Sequence, residues 1–166
     1  IRDSARLQEV VAKYRPEGAI HFAGLIAVGE SVREPALYHS VNVEGSRNVF
    51  EALRMMENPS VVFSSSAAVY GTPLRCPIPE TAEIAPLSPY GVGKAECEVE
   101  LRNLDRAKVL RYVSLRYFNA AGADAEVELG ECHEPETHLI PLALRARPER
   151  PLEIFGHDYP TRDGTC

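Results

Sequence analysis

Tyr90-Gly91-Val92-Gly93-Lys94 sets a phenol and an ammonium four residues apart, so on a helix both project from one face. A tyrosine of ordinary pKa, about 10, is a poor base at neutral pH. Lowering it by about three units takes roughly 4 kcal/mol of preferential phenolate stabilisation. A cation about 4 Å away, at an effective dielectric of ~20, supplies about that much. The pair is therefore suited to holding a tyrosinate general base. Gly91 and Gly93 are poor helix formers, and read as places where a ligand approaches the backbone closely. An exposed helix with an incidental Tyr and Lys has the same spacing, so the pair needs company.

Three other segments supply it. Ser64-Ser65-Ser66-Ala67-Ala68-Val69-Tyr70-Gly71 follows a short apolar run, Val61-Val62-Phe63. Side chains alternate along a strand, so Ser64 and Ser66 share one face and Ser65 takes the other. Ser66, nearest the tip, can hydrogen-bond a substrate oxygen, although hydroxyls there can equally cap nearby backbone. His21-Phe22-Ala23-Gly24-Leu25 reads as another strand tip ending in a glycine. Arg116-Tyr117-Phe118-Asn119 ends a third, where Asn119 offers both a donor and an acceptor.

The elements that must position these groups follow from periodicity. Leu7, Val10 and Val11 give Arg6–Tyr14 helical spacing, stopped by Pro16 and Gly18. Residues 19–23 read as a buried strand, and Pro35–Met56 as one long helix with a broad apolar face. Val61–Phe63 is a second strand, and residues 71–89, with five prolines, form a loop. Ser88-Pro89 opens a helix reaching about Arg106, with Ser as N-cap and Pro in the first turn. Val109–Phe118 is a third strand, residues 119–135 an acidic loop, Thr137–Arg147 a helix, and Leu152–Phe155 a last short strand. Strands alternating with helices imply a mostly parallel sheet with helices on both faces. Ligands bind such sheets at the carboxyl edge, where all three tips lie.

Composition narrows the function. The 166 residues carry a net charge of −6 with no basic run, which disfavours nucleic acid. The longest smooth apolar stretch, Ala19 to Val28, is about half of the ~20 residues that span a bilayer, so no membrane partner is expected. The four cysteines (Cys76, Cys97, Cys132, Cys166) are widely separated, which disfavours a disulfide framework or zinc ribbon and makes a reducing cytoplasm the default. Cys132, His133 and His138, with Glu131 and Glu134, fit no tetrahedral ligand spacing, and no metal is expected. A start at Ile1 and a turn-like end at Asp163-Gly164-Thr165-Cys166 fit an internal piece of a longer coding sequence.

In this order and spacing the four segments resemble the extended short-chain dehydrogenase/reductase family, and within it the sugar-nucleotide 4-epimerases. That family shows strands ending H-x-A-[AG] and S-S-S-x-x-V-Y-G, then S-x-Y-x-x-x-K, then R-Y-F-N. The matches here are His21 to Gly24, Ser64 to Gly71, Ser88 to Lys94 and Arg116 to Asn119. Similar wording recurs at Ala27 to Val32, Asn42 to Gly45, Thr137 to Pro141 and Ile154 to Thr165, so the likeness runs along essentially the whole chain.

The resemblance implies an α/β fold, a partial Rossmann-type doubly wound parallel sheet lacking its first strands. Residues 1–118 would be the NAD-binding part, and 119–166 the start of a smaller sugar-nucleotide-binding part. It implies interconversion of UDP-glucose and UDP-galactose through a 4-keto intermediate, with NAD held tightly. Tyr90 would be the base, Lys94 would lower its pKa and hold the cofactor ribose, and Ser66 would bond the sugar 4-hydroxyl. Phe22, Ala23, Gly24, Leu25, Ile26, Asn42, Ser64, Tyr90, Lys94 and Phe118 match cofactor positions. Ser66, Tyr90, Asn119, His138, Leu139, Ile154 and Phe155 match UDP-sugar positions. The family's members commonly pair through helices like Pro35–Met56 and Ser88–Arg106, so the full-length protein is expected to be a homodimer.

Two departures stand out. Ile26 replaces a lysine that many epimerases aim at the cofactor, and no G-x-G-x-x-G or G-x-x-G-x-x-G phosphate loop occurs in the chain. These 166 residues are expected to be inactive by themselves. Two rivals remain: a 4,6-dehydratase of the same family, and a non-catalytic Rossmann-like binding protein. The dehydratase would place an Asp-Glu pair where this chain has Ala67-Ala68. The binding protein would be expected to have lost the Ser66, Tyr90 and Lys94 set first.

Overall fold

The computed structural model describes residues 1–126, 128–132, 134–154 and 156–165. The chain divides into two compact units, Ile1–Phe118 and Asn119–Cys166.

In the first unit, α1 (Ser4–Tyr14) starts where the Asp3 carboxylate accepts the Arg6 amide at 2.9 Å. It ends at Arg15, which turns left-handed at φ 46°. Strand β1 (Gly18–His21) follows, then α2 (Val28–Arg33) and α3 (Pro35–Tyr38). A wide π turn at His39–Glu44 leads into α4 (Gly45–Leu53). Strand β2 (Ser60–Ser66) runs into a 3₁₀ turn at Ala67–Tyr70. After the proline-rich loop come α5 (Pro89–Arg106) and β3 (Arg111–Tyr117).

The three strands form a parallel sheet in the order β1-β2-β3, with Ile20, Val62 and Val113 in one row and His21, Phe63 and Ser114 in the next. Val61, Phe63 and Ser65 turn to the helical side of β2. There Val11, Val43, Phe50, Leu53, Cys97, Leu101 and Leu110 close a single core. The opposite face is uncovered among the described residues: Ile20 on β1 and Val113 on β3 are more than half exposed. Helices therefore lie on one face of this sheet, where the alternation pattern led us to expect both.

Two boundaries differ from the sequence reading for physical reasons. The single helix expected over Pro35–Met56 is broken by the π turn, where β-branched Val41 and Val43 are weak helix formers. Within that turn the Asn42 carbonyl accepts the hydroxyl of Ser46 and, at 3.5 Å, the thiol of Cys97. The short helix α2 was not expected at all. Helix α5, by contrast, starts as anticipated, with the Ser88 hydroxyl accepting the Gly91 amide at 3.1 Å.

In the second unit, α6 (Leu139–Arg145) is shorter than the expected Thr137–Arg147. The Glu136 carboxylate accepts the amides of Thr137 and His138 at 2.8 and 2.9 Å, so those residues precede the helix. Residues 152–154 join no strand, because no described segment pairs with them; Phe155 lies outside the described residues.

Candidate functional site

Helix α5 lies against the tips of β2 and β3 and presents Tyr90, Lys94 and Glu98 at i, i+4 and i+8. Lys94 is only 6% exposed, and its ammonium donates to the Ser64 carbonyl at 2.6 Å. That ammonium also sits over two rings, 5.0 Å from the centroid of Phe63 and 5.6 Å from that of Tyr90. Ser66 accepts the Ala68 amide at 3.2 Å, and its hydroxyl lies near enough to the Tyr90 phenol to favour the phenolate. One hydroxyl thus caps the 3₁₀ turn and reaches the phenol, combining the two readings its position allowed. Ser64, Ser66, Tyr90 and Lys94 are gathered at one strand tip.

The electrostatics depart from expectation. Burial pushes the Tyr90 phenol above its ordinary value, and the Ser66 hydroxyl only partly offsets this. Burial likewise holds the Lys94 ammonium below its usual range. The expected lowering of Tyr90 by Lys94 is not met by this geometry. The ammonium donates to the Ser64 carbonyl and lies 5.6 Å from the centroid of the phenol ring, and burial of the phenol outweighs the contacts that favour its phenolate.

A second correction concerns the glycines of α5. A Cβ at Gly91 would stand 2.7 Å from the Ala68 carbonyl oxygen, and one at Gly93 would stand 3.1 Å from Val43. They let α5 pack against the 3₁₀ and π turns. The close approach is protein on protein, where the sequence suggested a ligand.

The β1 tip is shaped from below. The Asn42 side-chain oxygen accepts the Leu25 amide at 2.8 Å, and its NH₂ donates to the Leu25 carbonyl at 2.9 Å. Gly24 permits this, since a Cβ there would come within 2.9 Å of the Asn42 oxygen. Asn42, expected at the cofactor, fastens the loop carrying Ala23, Gly24 and Leu25. Beneath it, His21 shares a 2.8 Å hydrogen bond with Ser46, and burial, with Lys94 nearby, lowers its pKa from 6.5 to about 4. Phe22, Ile26 and Phe118 keep apolar side chains exposed at the strand tips.

Sequence reasoning missed two supports. The Ser31 hydroxyl accepts the Tyr90 amide at 3.2 Å, tying α2 to the start of α5. Alongside it the Tyr38 hydroxyl donates to Glu30 at 2.7 Å. The other support is an ion pair between Glu98 and Arg116, with Ser65 and Tyr70 attached. The i, i+4, i+8 spacing of Tyr90, Lys94 and Glu98 was the available signal for it.

In the second unit, Asn119, Leu139 and Ile154 are exposed. Phe155 lies outside the described residues. The His138 ring pairs with Glu131 at 2.7 Å and lies 3.4 Å from Glu136. The donor atoms of these three residues lie within 4.8 Å of one another. His133, from the same stretch, is not among the described residues. No described helix is long and apolar enough to cross a membrane.

Against known proteins, a UDP-glucose 4-epimerase of Rhizobium meliloti (strain 1021) is 49% identical over 168 residues, covering 100% of this chain and 51% of the relative. The crystal structure of a UDP-glucose 4-epimerase from Brucella ovis in complex with NAD matches with TM-score 0.90 at 50% identity, over 99% of this chain and 51% of that one. One from Bifidobacterium longum in complex with NAD+ and UDP matches with TM-score 0.87 at 37% identity, over 99% and 50%. The chain spans about half the length of the curated relatives it matches. The profile of the NAD dependent epimerase/dehydratase family matches residues 1–165, and the chain belongs to that family.

Proposed function

We propose that the protein carrying this chain interconverts UDP-glucose and UDP-galactose by inverting C4 through a 4-keto intermediate, with NAD as resident cofactor. The observation that carries the reading is the meeting of Ser66, Tyr90 and Lys94 at one strand tip. Relatives along the whole chain that bear the epimerase name support it.

The residues present fit the nicotinamide–ribose half of such a cofactor. An ammonium has three donors; the buried Lys94 spends one on Ser64, leaving others for a pair of ribose hydroxyls. Exposed Phe22, Ile26 and Phe118 offer apolar surface to a flat ring, and Asn42 holds the Ala23–Leu25 loop beside them. Ile26, where relatives often place a lysine, adds to that apolar surface and supplies no charge. For the pyrophosphate the sequence has no glycine-rich loop.

When bound, NAD would supply the redox chemistry of the inversion, as acceptor and then donor of one hydride. The chain's own residues manage the proton and the geometry. Ser66 bonds the sugar 4-hydroxyl and sets it beside the phenol. Tyr90 exchanges the 4-hydroxyl proton, accepting it on oxidation and giving it back on reduction. Because burial favours the neutral phenol, Tyr90 is a ready donor in the second half-reaction. Its work as acceptor in the first rests on Ser66 and on Lys94 turning its charge toward the phenol oxygen.

Asn119, His138, Leu139, Ile154 and Phe155 are assigned to the UDP end. A 4,6-dehydratase needs an acid to protonate a leaving hydroxyl, and Ser66-Ala67-Ala68 holds no carboxylate. Pairing of two copies through the outer face of α5, where Val92 and Val99 are exposed, completes the reading. The test is to give the full-length protein UDP-galactose with no added reductant. UDP-glucose is the expected product, whereas a 4-keto-6-deoxy sugar would replace this reading by the dehydratase.

A further inference from the structure

Glu98 is a carboxylate only 4% exposed, eight residues after Tyr90 on the same face of α5. A buried charge persists only when it is paired and hydrogen-bonded. This one is. Arg116 on β3 grips it with two nitrogens, Nη2 to Oε2 at 2.6 Å and Nε to Oε1 at 3.0 Å. The Ser65 hydroxyl on β2 donates to Oε1 at 2.5 Å. The guanidinium then reaches on, giving Nη1 to the Tyr70 hydroxyl at 2.7 Å and to the Glu80 carbonyl at 3.2 Å. It also lies 4.9 Å from the centroid of the Tyr70 ring.

One carboxylate therefore joins α5, the tips of β2 and β3, the 3₁₀ turn and the proline-rich loop. Two of these joints, at Ser65 and Tyr70, adjoin the site. Ser65 stands between Ser64, whose carbonyl holds Lys94, and Ser66, whose hydroxyl lies near the Tyr90 phenol. Tyr70 ends the turn that Ser66 caps. Buried ion pairs are weak sources of stability, and apolar pairs of the same size often do better. What a two-nitrogen grip adds is geometry, since it fixes both the height and the rotation of a helix. A misplacement of about 1 Å at a reacting group can cost about 10²-fold in rate.

We propose that Glu98 is a positioning residue, which through Arg116 and Ser65 sets the register of α5 on the β2 tip and so holds Tyr90 against Ser66. This rests on the function proposed above, and its test separates the two. In the full-length protein, Glu98→Gln keeps size and one acceptor but loses the charged grip. We expect kcat for UDP-galactose to fall 10- to 100-fold with KM within about twofold.

A second readout needs no turnover. The ultraviolet titration of Tyr90, isolated by subtracting the spectrum of Tyr90→Phe, should move to higher pH in Glu98→Gln, because the Ser66 contact that favours the phenolate is loosened. Lys94 on its own helix, and Tyr38 with its partner Glu30 from the segments packed on it, are untouched by the substitution, and the guanidinium left without its carboxylate would by itself pull the titration down, so an upward move reports the loosened contact. Arg116→Lys, with the charge but not the fork, should show the same pair of changes, and Glu98→Asp a smaller one. If Glu98→Gln does not fold, Ser65→Ala, which leaves the ion pair intact, carries the test with the same two readouts.

An unmoved Tyr90 titration together with unchanged kcat overturns the proposal. So does a loss of thermal stability with kcat and KM failing together while the titration stays put. Should the full-length protein lack epimerase activity altogether, the titration still decides on Glu98, and only the functional reading falls.

Discussion

His21 makes the fold acid-sensitive in a defined window. It is 5% exposed, and its pKa is lowered from 6.5 to about 4. Between those values the unfolded chain binds a proton that the native chain refuses, so stability falls as pH falls from 6.5 to about 4. The slope is about 1.4 kcal/mol per pH unit, and the whole loss about 3 kcal/mol, a large share of the stability of a typical domain. Glu98 acts in the same direction but lower. Its Arg116 and Ser65 partners outweigh burial and hold its carboxyl below 4.5, so its contribution is complete above 4.5 and lost beneath it.

His21→Gln isolates the first effect, because an amide can still bond Ser46 and does not titrate. Urea unfolding at pH 7.5, 6, 5 and 4.5 should show the wild type losing stability faster than His21→Gln, by about one proton's worth of slope. The gap should stop growing near pH 4. Parallel curves for the two proteins through this window would refute the buried, neutral assignment of His21.

Other substitutions test the site itself. Tyr90→Phe should cut turnover by about 10²- to 10⁴-fold while NAD stays bound through gel filtration, since the ring remains; unchanged turnover would make α5 merely structural. Lys94→Ala should lower both turnover and retained NAD, measured as absorbance co-eluting with the protein. Gly91→Ala gains ~1 kcal/mol of helix propensity but drives a methyl to 2.7 Å from the Ala68 carbonyl oxygen. Overpacking of that kind costs about 1–3 kcal/mol, so Tm should fall by calorimetry, and kcat with it as Tyr90 shifts.

Much of this was legible in the residues. Periodicity placed three strands and the Ser88-capped helix, because Val61-Val62-Phe63 and Ser88-Pro89 are strong local signals. The Tyr90 and Lys94 pair and Ser66 were legible because four-residue spacing and strand alternation fix which side chains share a face. What stayed hidden depended on tertiary partners. The π turn exists because the Asn42 carbonyl is taken by Ser46 and Cys97, 55 residues apart from it in the latter case. The roles of Gly91, Asn42 and Ser31 were invisible for the same reason: each is defined by a neighbour 17 to 59 residues away or by the turn at Ala68. The sense of the Tyr90 shift failed because spacing gives proximity to Lys94 but not how deeply the phenol is buried.

The most direct test of the central claim is to follow deuterium. UDP-galactose labelled at C4 is given to the full-length protein without added reductant, and the UDP-glucose formed is examined by mass spectrometry and proton NMR. Inversion by hydride removal and return, with Tyr90 handling only the hydroxyl proton, predicts that the label stays on C4 of the product. Inversion with the C4 label lost to solvent would mean that carbon is deprotonated. That result would contradict the assignment of Ser66, Tyr90 and Lys94 to a 4-keto pathway.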